Sequence, residues 1–184
     1  MDHLQALQLA NGYFSAALDR LTEADWDRPT PCEQWSVRDV VEHVVRGHAA
    51  LVAAFDPTAT TGPAVEPGEA LDAAYRRWTA AVEESTARPG ALERTVTHRQ
   101  LGELPGSTLV LVRLGDVTVH AWDLAVATGT TFSPDPELSE AALGWLIPLA
   151  PMFASAGAFA SSSDPGPAAD PFHRVLQLTG RQPS

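Results

Sequence analysis

Asp116 and His120 stand four residues apart in a segment between Leu114 and Leu124 that predicts a helix. Residues four apart share one face of a helix, so this carboxylate and this imidazole can contact the same ion. His43 lies on a second predicted helix. Two histidines and a carboxylate are good ligands for a divalent metal, and three protein ligands leave a position free for water, substrate or thiol. Together these residues predict a metal site with an open position.

A second interpretation of the same residues stays open. On a helical wheel, Asp116 and His120 interrupt a largely apolar face, and a buried carboxylate is costly unless it is paired or binds a cation. Arg113, three residues before Asp116, could be that partner in a buried polar network without metal. His43 taken alone is typical of a surface histidine. Gly47, one turn later, removes a side chain beside His43 and leaves room for an ion or ligand.

The elements that must position these residues are predicted to be helices. Apolar residues recur at helical spacing in most of the chain, and Pro- and Gly-rich segments separate the helical stretches. The helices are predicted at about residues 4–21, 36–55, 71–82, 107–128, 138–160 and 170–180. This pattern predicts an all-α bundle with four main helices and a short additional helix near the C-terminus.

Several helix ends have specific signals. Ser36, with Asp39 three residues later, predicts a capping box at the start of the second helix. Gly129 predicts a left-handed end to the fourth helix, and Asp170-Pro171 predicts the start of the last one. Pro148 and Pro151 should kink or break the fifth helix. Residues 89–107 are predicted to be an extended loop with room for one short strand, and residues 156–169 a mobile loop.

The composition limits the class of protein and its partners. The 184 residues predict one globular domain, residues 1–184, with 45% hydrophobic and 19% charged residues. A net charge of -11 makes nucleic acid and anionic membranes unsuitable partners. The sequence shows neither a signal peptide nor an apolar run that could span a bilayer, which predicts a cytoplasmic protein. Cys32 is the only cysteine, so an intrachain disulfide and a multi-cysteine zinc site are excluded.

Two motifs resemble those of a known family. The segment Thr30-Pro-Cys-Glu-Gln-Trp-Ser-Val-Arg-Asp-Val-Val-Glu-His-Val-Val45 is similar to the opening motif of the mycothiol-dependent maleylpyruvate isomerase-like proteins. Asp116-Val-Thr-Val-His-Ala-Trp-Asp-Leu-Ala125 is similar to their second motif. The C-terminal segment from Ala169 to Pro183 resembles the closing motif of a short subgroup. One difference is that Asp116 stands where the isomerases carry glutamate, and the shorter side chain reaches less far.

The resemblance implies a DinB-like four-helix bundle that binds a divalent metal, zinc or nickel. The ligands carried over from the two motifs are His43, Asp116 and His120. The resemblance further implies a thiol such as mycothiol as co-substrate, and a small electrophile as its partner in a transferase or isomerase reaction. A metal would lower the pKa of the thiol and favour the thiolate. No catalytic base is identified; Asp123, close to His120 in sequence, is the only acid placed to assist.

The sequence also allows other functions for the protein and alternative roles for three single residues. The protein could instead be a non-enzymatic metal- or ligand-binding protein connected with stress, or a structural bundle without metal. Trp35 and Trp122 either line a ligand cleft or pack as core residues at helix ends. Cys32 is either a reactive thiol near a helix N-terminus or a partly buried structural cysteine. A homodimer is left open.

Overall fold

The computed structural model describes residues 1–56, 62–98, 101–155 and 164–182. These residues form six α-helices and a two-stranded antiparallel sheet. The sheet consists of β1 (Thr95–His98) and β2 (Gly102–Pro105). The helices are α1 (His3–Leu18), α2 (Val37–Phe55), α3 (Leu71–Thr86), α4 (Gly106–Thr128), α5 (Pro136–Ser155) and α6 (Pro171–Leu178). The prediction of a helical bundle with a short last helix is confirmed.

Helix α4 lies at the centre of the bundle. It packs against α1, α2 and α5, while α3 packs on α2 and also contacts α1, and α6 packs on α5. Because α4 has neighbours on several sides, it is buried around most of its circumference, which includes the polar residues Arg113, His120 and Asp123. The face with Asp116 and His120 therefore points into the bundle, as the helical wheel predicts.

The signals at the helix ends are confirmed. Ser36 and Asp39 form the predicted capping box, in which each side chain accepts from the other residue's backbone N–H. Gly129 ends α4 with φ 70°, a left-handed conformation that glycine adopts without strain. Asp170 caps α6 by accepting from the backbone N–H of His173. These ends fix the starting points of α2 and α6 and the end of α4.

The region before α4 contains two paired antiparallel strands, where the sequence predicted an extended loop with room for one short strand. Val96 of β1 pairs with Leu104 of β2, and both side chains are buried. The hairpin packs against α2 and α4. Gly102 has φ 71°, a backbone conformation that favours glycine and places β2 back alongside β1.

The sequence predicted that Pro148 and Pro151 kink or break helix α5, and the helix is not broken, because it continues through both prolines. A proline removes the hydrogen bond to the carbonyl four residues earlier. For Pro148 and Pro151 those carbonyls belong to Gly144 and Ile147, and both are exposed residues on the side of α5 that faces water. The helix can therefore retain both prolines. The part predicted to extend to residue 160, and most of the predicted mobile loop at 156–169, lie outside the described residues.

Across the ranges that the structure describes, no helix combines the length and the apolar character needed to span a membrane.

Candidate metal centre

Three side chains from α2 and α4 converge where these helices face each other. His43 comes from α2, and Asp116 and His120 come from consecutive turns of α4. One ligand atom from each of the three lies within 4.8 Å of the other two. Asp116 Oδ1 lies 3.1 Å from His43 Nε2 and 3.5 Å from His120 Nε2. The structure thus brings together all three residues that the sequence singled out.

These separations suit a small divalent ion. Metal–ligand bonds of about 2.0–2.1 Å at a tetrahedral angle place two ligand atoms roughly 3.3 Å apart. Both measured carboxylate–imidazole distances are close to this value. The side chains of His43 and Asp116 are 35% and 28% exposed, so the group is accessible from solvent. The set of donors and its spacing therefore fit a metal with an open coordination position.

Asp116 is surrounded by positive or protonatable groups. Its Oδ2 atom is buried and forms an ion pair with Arg113 Nη1 over 3.0 Å. Burial by itself would raise the pKa of the Asp116 carboxyl. The charge of Arg113 and those of the two imidazoles outweigh burial and hold this pKa well below its usual range. Asp116 is consequently ionised at neutral pH, as a ligand must be.

The orientation of His120 depends on Asp123. His120 Nδ1 donates to Asp123 Oδ2 over 2.9 Å, so its Nε2 atom faces Asp116. A carboxylate behind a histidine is the usual arrangement at metal sites because it fixes the tautomer and the ring. Burial lowers the pKa of His120, but Asp116 and Asp123 more than compensate and raise it. Asp123, considered from sequence as an assisting acid, is 0% exposed and takes a positioning role instead.

Arg181 completes this arrangement from the far end of the chain. Its Nη2 atom donates to Asp123 Oδ2 over 2.7 Å, and its Nε atom donates to Asp123 Oδ1 over 3.3 Å. Burial would raise the pKa of Asp123, but His120 and Arg181 outweigh it and lower this pKa. Sequence reasoning did not assign a role to Arg181. Its position in the closing motif, directly after α6 and Gly180, was the available signal.

Gly47 has a different role from the one expected. The space beside it was predicted to hold an ion or ligand, but the Arg113 guanidinium fills that space, and a Cβ on Gly47 would overlap it. Arg113 Nη2 also donates to the carbonyl of Val44 over 3.1 Å. The metal-free interpretation is therefore correct that Arg113 pairs with Asp116. This pairing uses Oδ2, whereas Oδ1 faces the histidines.

Trp35 forms one wall of the site. Its ring is stacked on His120 at 5.8 Å between centroids and lies 4.9 Å from the His43 ring at a tilted angle. The loop that carries it is held by Thr30, whose backbone N–H and hydroxyl both donate to the Trp35 carbonyl. Trp35 is half-buried and also packs on the core, and its role in lining a ligand cleft stays a prediction. Trp122 is half-buried and packs on the core.

The remaining candidates from sequence lie outside the three-residue cluster. Burial raises the pKa of the Cys32 thiol and Arg181 only partly opposes this, so the thiolate is disfavoured. This favours the structural interpretation of Cys32. His48 is fully buried, with Nδ1 2.9 Å from the Val44 carbonyl and Nε2 3.1 Å from the Asn11 side chain. His48 therefore packs in the core and lies away from the three-residue cluster.

Residues 7–125 match the family described as "Mycothiol maleylpyruvate isomerase N-terminal domain". Two proteins of Mycobacterium tuberculosis, from strains CDC 1551 / Oshkosh and ATCC 25618 / H37Rv, are each 39% identical over 139 residues. The aligned part is 76% of this chain and 74% of theirs, and both are described as uncharacterized.

The fold is similar to that of a solved enzyme. The crystal structure of the mycothiol-dependent maleylpyruvate isomerase superposes with a TM-score of 0.58 at 18% identity. A histidine-to-alanine mutant of that isomerase gives the same values. The match covers 78% of this chain, and this chain spans 66% of the length of the isomerase. At this identity the similarity is one of fold.

Proposed function

The chain belongs to the mycothiol maleylpyruvate isomerase N-terminal domain family, and on this premise we propose that it is a thiol-dependent enzyme with a divalent metal. The metal, zinc or nickel, is held by His43, Asp116 and His120. The co-substrate is a low-molecular-weight thiol such as mycothiol, and the second substrate is a small electrophile. The thiol adds to an electrophilic carbon, either for transfer or for cis–trans isomerisation.

The observation that carries the proposal is the convergence of three ligand atoms within 4.8 Å at the interface of α2 and α4. The surrounding residues support it. Asp123 fixes His120 so that Nε2 faces the centre of the cluster. Trp35 covers the two imidazole rings and reduces their contact with water.

Three residues of the chain would bind the ion, and their protonation state decides whether they can do so. His43, His120 and Asp116 bind the ion, and binding requires both imidazoles to be neutral. A divalent cation held there supplies positive charge that favours the ionised form of a thiol at neutral pH. The solvent-exposed side of His43 and Asp116 leaves an approach for the thiol and the electrophile.

Metal content tests the first half of the proposal. Protein purified without chelator or metal-affinity resin should contain close to one equivalent of a divalent metal by elemental analysis. His43→Ala and His120→Ala should each lower the metal occupancy about 10-fold or more. The loss of a ligand should cost at least as much as the loss of a residue that only orients a ligand. His173→Ala, which changes a histidine outside the cluster, is the matched control. Full occupancy in His43→Ala would remove this residue from the site.

Turnover tests the second half. Metal-loaded protein is incubated with mycothiol and a panel of electrophiles, including cis-configured unsaturated acids, and consumption of thiol and formation of isomer are followed. Activity that requires both metal and thiol, and that is lost in His120→Ala, supports the enzyme. Metal bound without any turnover would favour the alternative of a non-enzymatic metal- or ligand-binding protein.

A further inference from the structure

Arg113 is held in one position by three features of α2 and α4. Its Nη2 atom donates to the Val44 carbonyl over 3.1 Å, and its Nη1 atom pairs with Asp116 Oδ2 over 3.0 Å. The guanidinium lies against Gly47, where a methyl group would overlap it. The Arg113 side chain is only 8% exposed. A buried arginine held at both ends of its planar group has little freedom to reorient.

Because Arg113 is fixed in this position, the two carboxylate oxygens of Asp116 have different partners. Oδ2 is buried and its charge is balanced by Arg113. Oδ1 faces His43 and His120 at 3.1 and 3.5 Å. A carboxylate can bind a metal through one oxygen or through both. An Asp116 without this partner could turn its second oxygen towards the ion.

We infer that Arg113, seated against Gly47, is a positioning residue that restricts Asp116 to one ligating oxygen. The inference rests on the proposed metal site and explains how its open position is kept. Three protein donors leave a coordination position for an incoming thiol, whereas a second oxygen from Asp116 would occupy it. Gly47 is required for this on α2 although it does not itself contact Asp116.

Cobalt(II) provides a direct test, because its visible absorption is strong in four-coordinate sites and weak at higher coordination number. Wild-type protein loaded with cobalt(II) should show the strong absorption. Gly47→Ala, which displaces the guanidinium, and Arg113→Lys, which keeps the charge but loses the planar group, should both show the weak one. The affinity for 2-mercaptoethanol is measured from the thiolate-to-cobalt absorption band. It should fall about tenfold in both variants, which is the smallest effect expected for residues that orient metal ligands.

Two control variants separate this role from a general loss of stability. Gly12→Ala changes a helical glycine whose Cβ would meet nothing within 4 Å. Arg46→Lys changes an arginine of α2 whose side chain is 59% exposed. Both should keep the wild-type cobalt spectrum and thiol affinity. Circular dichroism establishes that each variant is folded, and if Gly47→Ala loses its helices, Arg113→Lys, which adds no volume, decides alone.

The outcomes distinguish a failure of the positioning role of Arg113 from a failure of the proposed metal site. A wild-type protein that binds no cobalt(II) contradicts the metal site, and the positioning role with it. A wild type that binds cobalt(II), beside folded Arg113→Lys and Gly47→Ala variants with unchanged spectrum and thiol affinity, overturns the positioning role alone.

Discussion

Asp123 Oδ2 accepts a hydrogen bond from His120 Nδ1 over 2.9 Å, and this contact determines which nitrogen His120 presents to Asp116. Without it, the neutral imidazole could place its proton on Nε2 and lose the lone pair that a metal needs. The ionised form of Asp123 is in turn stabilised by Arg181. One face of α4 thus holds both a candidate ligand and the residue that orients it.

Asp123→Asn should weaken metal binding without removing a ligand. The amide is neutral and a weaker acceptor than the carboxylate, so His120 loses part of its orientation and basicity. We expect the dissociation constant of the metal to rise about 10-fold or more. Competition with a chromophoric chelator measures it. Asp27→Asn is the control because the Asp27 side chain is 94% exposed, and equal constants in the two variants would contradict the role of Asp123.

Asp116→Ala should destabilise the protein even when no metal is present. The variant leaves the buried Arg113 charge without its partner, and breaking a buried ion pair costs about 3 kcal/mol. Chemical denaturation in excess chelator measures this loss. Asp72→Ala is the matched control because its ion pair with Arg76 is on the surface, where such pairs contribute little. Similar losses in the two variants would show that Arg113 does not depend on Asp116.

The free energy of unfolding should fall on acidification because His48 is neutral in the folded protein and becomes protonated on unfolding. Burial lowers the pKa of His48 to about 3, with the charge of Arg113 acting in the same direction, against 6.5 for an ordinary histidine. The folded state therefore holds this ring neutral, and the stabilisation is complete above pH 6.5 and is lost as the pH falls below it. From the size of the shift, about 2 kcal/mol should be lost by pH 5.

The measurement for His48 is the difference between wild type and His48→Gln in urea denaturation at pH 7 and pH 5, in the presence of chelator. Glutamine does not titrate, so the variant should be less stable at pH 7 but lose less on acidification. Groups other than His48 affect both proteins alike and cancel in the comparison. Parallel pH dependences would refute the prediction.

Gly115→Ala should destabilise the bundle although alanine favours helices. A Cβ at Gly115 would lie 2.5 Å from Trp145 Nε1, and the Trp145 ring is buried against it. Overpacking of this kind costs about 1–3 kcal/mol, more than the roughly 1 kcal/mol gained in helix propensity. Gly12→Ala on α1 meets no neighbour and should be slightly stabilising. Thermal melting of the two variants should therefore shift in opposite directions.

Local spacing was sufficient to predict Asp116 and His120 as a pair of candidate ligands, whereas His43 taken alone was typical of a surface histidine. Asp116 and His120 are one turn apart, and the capping box at Ser36 fixes the start of the helix that carries His43. Their convergence also required the packing of α2 against α4, which the family resemblance supplied and periodicity did not. The single domain and the cytoplasmic location stay predictions.

The residues behind the ligands could not be predicted in the same way. Arg181 meets Asp123 across 58 residues, and this contact depends on how α6 packs on α5. Gly47 was interpreted from its missing side chain alone, and only the packing of α4 shows that Arg113 fills the space. Helix α5 was expected to kink or break at its prolines. The sequence does not show that Gly144 and Ile147 are exposed residues, because this exposure depends on the fold.

The pairing of Arg113 with Asp116 and of Arg181 with Asp123 determines the formal charge of the centre. Each carboxylate is neutralised by its own guanidinium, so with neutral imidazoles the group has no net charge. A divalent cation bound there would bring two positive charges that the protein does not cancel. Neutrality would then have to come from the molecules that enter the site. A thiolate together with one carboxylate of a second substrate would supply it, whereas a neutral ligand would leave the charge in place.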